Sequence, residues 1–287
     1  MIGAIIGDVI GSHYEGKIKK AKNKDFELFT PYSICTDDTI MTIAVGQAMV
    51  NTYQEKEILV IQNELIKEMQ RLGRLYPYSG YGKQFKYWLR EENPKPYNSY
   101  GNGSGMRVSS VAWLYDNLED VNKYAEITAS VSHNHPEGIK GACAIASAIY
   151  LASEKKSKDE IKKYIEEKFE YILKPISQII EEESNYGASS QITVPIAIQA
   201  FLEGKDFEDV LRTAIFAGGD TDTIACMACS IAEVYYEIPD NLLEFAYSRM
   251  DLPLKEPLKN ILMLIKEKNK LNTNLNKVLI LLENENI

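Results

Sequence analysis

The sequence predicts an all-α fold, because helical periodicity dominates it and no convincing strand alternation occurs. In residues 57–72, apolar side chains recur at spacings of three and four, which is typical of one buried helix face. Residues 139–152 and 223–235 are rich in alanine and nearly uncharged, so we expect them to form central helices with close neighbours. We therefore predict a single compact, multi-helix orthogonal bundle.

The chain opens with a glycine-studded apolar segment over residues 3–15, which predicts a closely packed helix. Asp8 lies inside this helix, where we expect it to act as a buried structural acceptor. Glu15 lies beyond the helix end. It either faces a cleft or is an ordinary solvated surface glutamate.

Later segments repeat the helical pattern. Residues 158–172 place Ile161, Ile165, Phe169 and Ile172 on one predicted face, and residues 207–215 carry a similar stripe. The apolar run 194–201 fits a buried helix at least as well as a strand. Loops are predicted at 75–83, 93–104 and 185–191.

At 287 residues the chain has room for one large core. Two acidic clusters, at residues 36–39 and 218–223, have to meet if they form one site, so we expect residues 1–252 to fold as a unit. Residues 253–287 are predicted to add two helices, one around residues 261–265 and one around 278–282, packed on the same domain.

Composition limits the classes of partner. A net charge of −9 argues against general nucleic-acid or anionic-membrane binding, because those partners favour a basic surface. No apolar run is long enough to cross a membrane. Asp8 comes too early for a signal peptide, so we expect a cytoplasmic protein with reduced thiols. Cys226 and Cys229 have the spacing of a zinc or redox pair, but we expect them, like Cys35, to serve in packing.

Two acidic clusters, at residues 36–39 and 218–223, each precede a helix-like run. One acceptor is enough to cap a helix, yet each cluster offers two carboxylates and at least one hydroxyl. These hard oxygen ligands suit Mg²⁺, Mn²⁺ or Ca²⁺. Four carboxylates that converged without a cation would repel one another. We therefore favour two halves of one metal site over two helix caps.

Two further segments carry candidate chemistry. Residues 97–107 form a glycine-rich loop before a helix predicted from about Val108, and such a loop is either a phosphate-binding turn or an ordinary one. Residues 132–138 hold His133 and His135, two of the three histidines in the chain. They bind phosphate or ribose, cap a helix, fill a core position or, less convincingly, bind a metal.

On these residues the chain resembles the ADP-ribosylglycohydrolase family, which is related to the dinitrogenase-reductase-activating glycohydrolases and the J-type crystallins. The resemblance extends from Ile2 to about Pro239. Its motifs are Gly-Asp-x-x-Gly-x-x-Tyr-Glu, Thr-Asp-Asp-Thr, Tyr-Gly-Asn-Gly-x-x-Met-Arg, His-x-His-Pro and Gly-Gly-Asp-Thr-Asp-Thr, in family order.

The resemblance implies an all-helical fold with two divalent cations, magnesium or else manganese, below an ADP-ribose cleft. The implied metal ligands are Thr36, Asp37, Asp38, Asp220, Asp222 and Thr223. The implied catalytic residues are Glu15, Asp37 and Asp220. The residues expected to bind substrate are Asn98, Ser99, Tyr100, Gly101, Asn102, Gly103, Ser104, Met106, His133 and His135. His133 is preferred to His135 for the phosphate contact.

The implied activity is hydrolysis of the glycosidic bond between the distal ribose of ADP-ribose and an acceptor. The expected partners are ADP-ribosylated proteins or small molecules and free ADP-ribose. A non-catalytic, crystallin-like ADP-ribose-binding protein and a metal-dependent nucleotide phosphohydrolase are the alternatives. Residues 185–191 differ from the expected family loop near the leaving group, so the acceptor is left open.

Overall fold

Helices form the framework of this protein in a computed structural model, which describes residues 1–16, 23–182 and 187–285. The helices of these ranges are α1 Ile2–Gly11, α2 Asp37–Asn51, α3 Ile58–Leu75, α4 Lys83–Trp88, α5 Gly103–Met106, α6 Ser109–Leu114, α7 Leu118–Ser130, α8 Pro136–Ser153, α9 Lys158–Phe169, α10 Ile176–Glu181, α11 Ser190–Glu203, α12 Phe207–Ala217, α13 Thr221–Tyr235, α14 Asp240–Tyr247, α15 Leu252–Glu267 and α16 Thr273–Asn284. No strand occurs in the described ranges, where one isolated bridge joins Gly101 and Ser189. The predicted all-α fold is confirmed.

The N-terminal helix α1 lies directly on the backbone of the central helix α13. Gly3, Gly7 and Gly11 share one face of α1, since they are spaced by four residues. A β-carbon at Gly7 would be 2.2 Å from the carbonyl oxygen of Ala225, and one at Gly11 would be 2.7 Å from the α-carbon of Asp222. Only glycine permits this approach, which brings Asp8 and the second acidic cluster together.

Replacing Gly7 with alanine is expected to lower the free energy of unfolding by about 1–3 kcal/mol, because the new methyl group has to push two helices apart. Urea denaturation of both proteins measures the difference. Gly187→Ala is the matched control, since a β-carbon there would meet nothing within 4 Å. Equal stability of Gly7→Ala and Gly187→Ala would contradict the close α1–α13 contact.

Most of the predicted helical stripes are buried as expected, including Ile61, Leu65 and Phe201. The prediction for Ile172 is wrong, because that side chain is 79% exposed. Helix α9 ends at Phe169, and Glu170 then adopts the left-handed conformation with φ 55°. The chain therefore leaves the helix before Ile172 can continue its apolar face.

The two helices predicted after residue 252 are present as α15 and α16, and α15 packs against α2. A β-carbon at Gly46 of α2 would be 2.5 Å from the Ile261 side chain, so the two helices approach closely there. The division of the chain at residue 252 stays a prediction. No helix within the described ranges is long and apolar enough to cross a bilayer. All four cysteines are free thiols.

Candidate functional site

A cleft of about 380 Å³ opens between the acidic clusters and the glycine-rich loop. This volume falls within the range of small-molecule sites. Twelve of the residues predicted to form the site lie on its wall. They are Glu15, Asp37, Asp38, Ser99, Gly101, Asn102, Gly103, Met106, His133, Asp220, Asp222 and Thr223.

The first acidic cluster begins helix α2. Thr36 is the N-cap, and its hydroxyl accepts the Asp38 N–H at 3.3 Å. The Asp37 N–H donates to the Ser79 carbonyl oxygen at 2.6 Å. The threonine side chain therefore caps the helix, and neither aspartate side chain is needed as the cap.

Asp8 joins helix α1 to the start of α2. Its carboxylate accepts the Thr36 N–H at 2.9 Å, the Thr36 hydroxyl at 2.6 Å and the Thr39 N–H at 3.0 Å. The side chain is fully buried. The predicted role as a structural acceptor is thus observed. The structure also brings Asp8 into the acidic cluster itself, a contact that the sequence pattern does not predict.

The second cluster begins helix α13 and meets the first cluster directly. Thr223 donates its hydroxyl to Asp38 Oδ2 at 3.1 Å, so the two clusters are in contact. Asp220 is the N-cap of α13 but makes no side-chain capping bond. Its Oδ2 instead accepts Asn102 Nδ2 at 2.8 Å, which connects the cluster to the glycine-rich loop.

The charges of this cluster disfavour the metal-free ionised state. Burial raises the pKa of Asp8 to about 6, against the hydrogen bonds from Thr36 and Thr39 that lower it. Burial and the charge of Asp8 raise the pKa of Asp37 to about 8. The pKa values of Asp38 and Asp222 lie well above the ordinary range, through burial first and then through neighbouring aspartates. Added positive charge would relieve this repulsion.

The donor set fits divalent cations. Asp8, Asp38 and Asp222 each place one carboxylate oxygen within 4.8 Å of the others, and so do Glu15, Asp220 and Asp222. Asp222 belongs to both groups. Asp38 Oδ1 is buried and has no hydrogen-bond partner within the described part of the chain, which leaves an oxygen available to a cation. The oxygen ligands are those that hard cations prefer.

The glycine-rich loop differs in detail from its prediction. A single helical turn, α5, begins at Gly103 inside the predicted loop, and the helix predicted from about Val108 is present as α6, which begins at Ser109 with Val108 as its N-cap. The loop is fixed by its neighbour, since the Asn102 N–H donates to the Ala188 carbonyl at 3.0 Å and the Ser190 N–H to the Tyr100 carbonyl at 3.0 Å. The predicted loop 185–191 therefore reaches the cleft wall at Ala188, and its first two residues lie outside the described ranges.

Five predicted site residues do not line the cleft. Thr36 is bonded to Asp8, and Ser104 donates its hydroxyl to the Gly138 carbonyl at 2.7 Å. His135 caps α8, with Nδ1 accepting the Glu137 N–H at 3.1 Å. Tyr100 is half exposed, with its ring edge-on to His135. Asn98 adopts φ 55° and donates its N–H to the Asn134 side chain.

Several cleft residues were not predicted as site residues. One group follows α3 in the chain and comprises Gly80, Gly82, Lys83, Gln84 and Phe85. The others are Tyr97, Arg107 and Ala188. The Gly-Tyr-Gly sequence at 80–82 indicates a loop whose backbone can approach another group closely, since glycine has no side chain. In the structure Gly80 has φ 98°, and a β-carbon there would be 2.7 Å from Asp37 Oδ1.

An all-helical body with a carboxylate-lined cleft beside a glycine-rich loop defines a class of helical proteins whose acidic cluster could hold a metal ion. Comparison with known proteins gives the class a family. The ADP-ribosylglycohydrolase family model matches residues 1–260. The chain belongs to the ADP-ribosylglycohydrolase family.

The sequences of known relatives align with most of this chain. Human ADP-ribosylhydrolase ARH3 is 27% identical over 320 residues, covering 84% of this chain and 86% of the human protein. An uncharacterized protein of Archaeoglobus fulgidus is 26% identical over 294 residues, covering 85% and 89%. A solved ADP-ribosylglycohydrolase-related protein complex contains a chain of the same fold, with a TM-score of 0.66, 19% identity and coverage of 92% and 96%.

Proposed function

We propose that this protein is a metal-dependent ADP-ribosyl hydrolase, which cleaves the glycosidic bond between the distal ribose of ADP-ribose and an acceptor group. The observation that carries the proposal is the meeting of two three-carboxylate groups through Asp222 at the wall of a ligand-sized cleft. The family and the names of its relatives support ADP-ribose as the ligand. The expected substrates are ADP-ribosylated proteins or small molecules.

Two divalent cations, Mg²⁺ or else Mn²⁺, are the proposed cofactors, with Thr36, Asp37, Asp38, Asp220, Asp222 and Thr223 as their ligands. Such a pair supplies positive charge that orients sugar hydroxyls and makes a water more acidic. Asp8 lies among these ligands, and its three hydrogen bonds hold the first cluster in place.

Three carboxylates are proposed to act on the reacting atoms. Glycosidic cleavage develops positive charge on the distal ribose, and the exposed carboxylate of Glu15 on the cleft wall can stabilise that charge. Glu15 or Asp220 takes the proton of the attacking water, and the bond from Asn102 fixes the direction of the Asp220 carboxylate. Asp37 also lines the cleft. Its backbone N–H donates to the Ser79 carbonyl oxygen, and its Oδ1 lies close to the backbone of Gly80.

The glycine-rich loop is proposed to hold the diphosphate and adenosine part of ADP-ribose. Gly101, Asn102 and Gly103 line the cleft, and His133 lies against the two glycines. A β-carbon at Gly103 would be 2.9 Å from His133 Nε2. The lack of side chains at Gly101 and Gly103 therefore leaves this part of the cleft open to a ligand and to the histidine.

Replacing Gly103 with alanine is expected to weaken ADP-ribose binding by about 10-fold, because the new methyl group displaces His133 or narrows the loop. Calorimetric titration with ADP-ribose measures the change. Metal binding should be unaffected, since the change lies outside the carboxylate cluster. Gly187→Ala serves again as the matched control. Unaltered ADP-ribose affinity in Gly103→Ala would show that the loop does not contact the ligand.

Product analysis tests the proposed reaction. The protein is incubated with peptides ADP-ribosylated on arginine or serine and with ADP-ribosylated nucleobases, and the products are identified by mass spectrometry. Release of free ADP-ribose supports the proposal and identifies the linkage. Release of AMP would instead identify a phosphohydrolase. ADP-ribose binding without any product would identify a non-catalytic binding protein.

A further inference from the structure

Arg107 carries a buried guanidinium group beside the cleft. The side chain is 1% exposed, and it lies on the cleft wall. Nη2 donates to Ser132 Oγ at 2.8 Å and to the Thr128 carbonyl at 3.2 Å. Nε and Nη1 are buried and have no hydrogen-bond partner among the described residues. Burying such a charge is costly, so packing alone is a poor explanation for an arginine at this position.

Ser132 connects Arg107 to His133. The serine is fully buried, and its Oγ lies 2.8 Å from Arg107 Nη2 and 2.8 Å from His133 Nδ1. An arginine only donates hydrogen bonds, so the serine oxygen accepts from Arg107. The hydroxyl hydrogen then points to His133 Nδ1, the other partner that the described residues give this hydroxyl. This pairing favours Nδ1 as the acceptor, because the described residues offer the buried hydroxyl hydrogen no other acceptor.

We propose that Arg107 and Ser132 are positioning residues that hold His133 as the neutral tautomer protonated on Nε2. Because Nδ1 accepts, the single ring proton of a neutral imidazole has to be on Nε2. This nitrogen faces the glycine-rich loop, 2.9 Å from where a β-carbon of Gly103 would be and 3.6 Å from that of Gly101. One N–H donor is thus directed at the ligand side of the cleft.

The same arrangement keeps the histidine uncharged. Burial lowers the pKa of His133 well below its ordinary range, and the charge of Arg107 lowers it further. A protonated ring would have to donate from Nδ1 to an oxygen that already accepts from Arg107, leaving the hydroxyl hydrogen without an acceptor. The ligand atom addressed by Nε2–H is a diphosphate oxygen. That part rests on the proposed function, whereas the tautomer is a property of the free protein.

Nitrogen NMR of the full-length protein labelled with ¹⁵N-histidine tests the inference. The chain has three histidines, so His13→Gln and His135→Gln assign the remaining imidazole signals to His133. In the wild-type protein we expect a proton on Nε2 and none on Nδ1. A proton on Nδ1 of His133 would overturn the proposal without any need for a variant.

Ser132→Ala removes the hydroxyl with little change in volume. We expect His133 to become a mixture of tautomers and ADP-ribose affinity to fall by about 3- to 10-fold, the loss of one hydrogen bond. Ser130→Ala is the matched control, because Ser130 lies two residues away and bonds the Ile127 carbonyl instead. An unchanged His133 spectrum in Ser132→Ala would overturn the proposal. The expected wild-type spectrum in a protein that does not bind ADP-ribose would support the positioning and contradict the proposed function.

Discussion

The variant Asp222→Asn is expected to lose at least about 100-fold in kcat while keeping its fold, because a direct metal ligand should matter at least as much as the outer partners of ligands do. Asp222 is the carboxylate shared by both groups of the cluster. The substitution removes one charge and changes side-chain volume little. Steady-state release of ADP-ribose at limiting and saturating Mg²⁺ measures the loss.

Thermal unfolding of the same variant separates a metal ligand from a structural residue. In the metal-free protein, burial and the charges of Asp38, Asp220 and Asp8 raise the pKa of Asp222 well above its ordinary value, so its ionised form is electrostatically unfavourable. Asparagine carries no charge and removes this repulsion, so we expect a Tm equal to or higher than that of the wild-type protein. The rise in Tm that Mg²⁺ or Mn²⁺ gives the wild-type protein should be largely lost.

Asp240→Asn is the matched control for Asp222→Asn. Asp240 lies on α14 in an exposed ion pair with Lys277. An exposed pair contributes little to stability, so this variant should retain both activity and the metal-induced rise in Tm. Full activity of Asp222→Asn under metal-limited conditions would contradict the metal centre.

The variant Asp8→Ala is expected to destabilise the metal-free protein by about 2–4 kcal/mol, because it leaves two buried backbone N–H groups without their acceptor and removes the nearer acceptor of one hydroxyl. These donors belong to Thr36 and Thr39 at the start of α2. Loss of the Asp8 charge relieves some repulsion. That relief is the smaller effect, since the hydrogen bonds hold the pKa of Asp8 to about 6 although the group is fully buried.

Urea denaturation in chelator measures the stability of Asp8→Ala, and metal titration measures its second defect. We expect weaker cation binding because α2 no longer holds Asp37 and Asp38 in place. Asp8→Asn keeps the size and one acceptor oxygen, so its stability should lie between those of the wild-type protein and Asp8→Ala. An Asp8→Ala variant as stable as the wild-type protein would show that the hydrogen bonds of Asp8 do not stabilise the contact between α1 and α2.

The sequence was sufficient to predict the fold class and the convergence of the two acidic clusters. Helix periodicity is a local property, and the excess of carboxylates over capping needs is visible at residues 36–39 and 218–223. The end of α9 was misjudged because Ile172 continues the apolar spacing, whereas the left-handed Glu170 ends the helix. Composition does not report that backbone change.

Other parts of the site depend on contacts between distant residues. The place of Asp8 in the cluster follows from the close approach of α1 to α13: the glycines of α1 predict close packing, but they do not identify the partner helix. The role of Arg107 depends on Ser132, 25 residues away along the chain. The family resemblance favours His133 over His135 for the phosphate contact. The structure adds that His133 lines the cleft, whereas His135 caps α8.

The measurement that tests the central claim most directly is a metal titration of the chelator-treated protein with an ADP-ribosylated substrate present. Bound metal and released ADP-ribose are followed together, with Asp222→Asn in parallel. We predict no release before metal is added, recovery that reaches its maximum at two cations per chain, and no recovery in the variant. Full release of ADP-ribose in excess chelator would contradict metal-dependent hydrolysis by this protein.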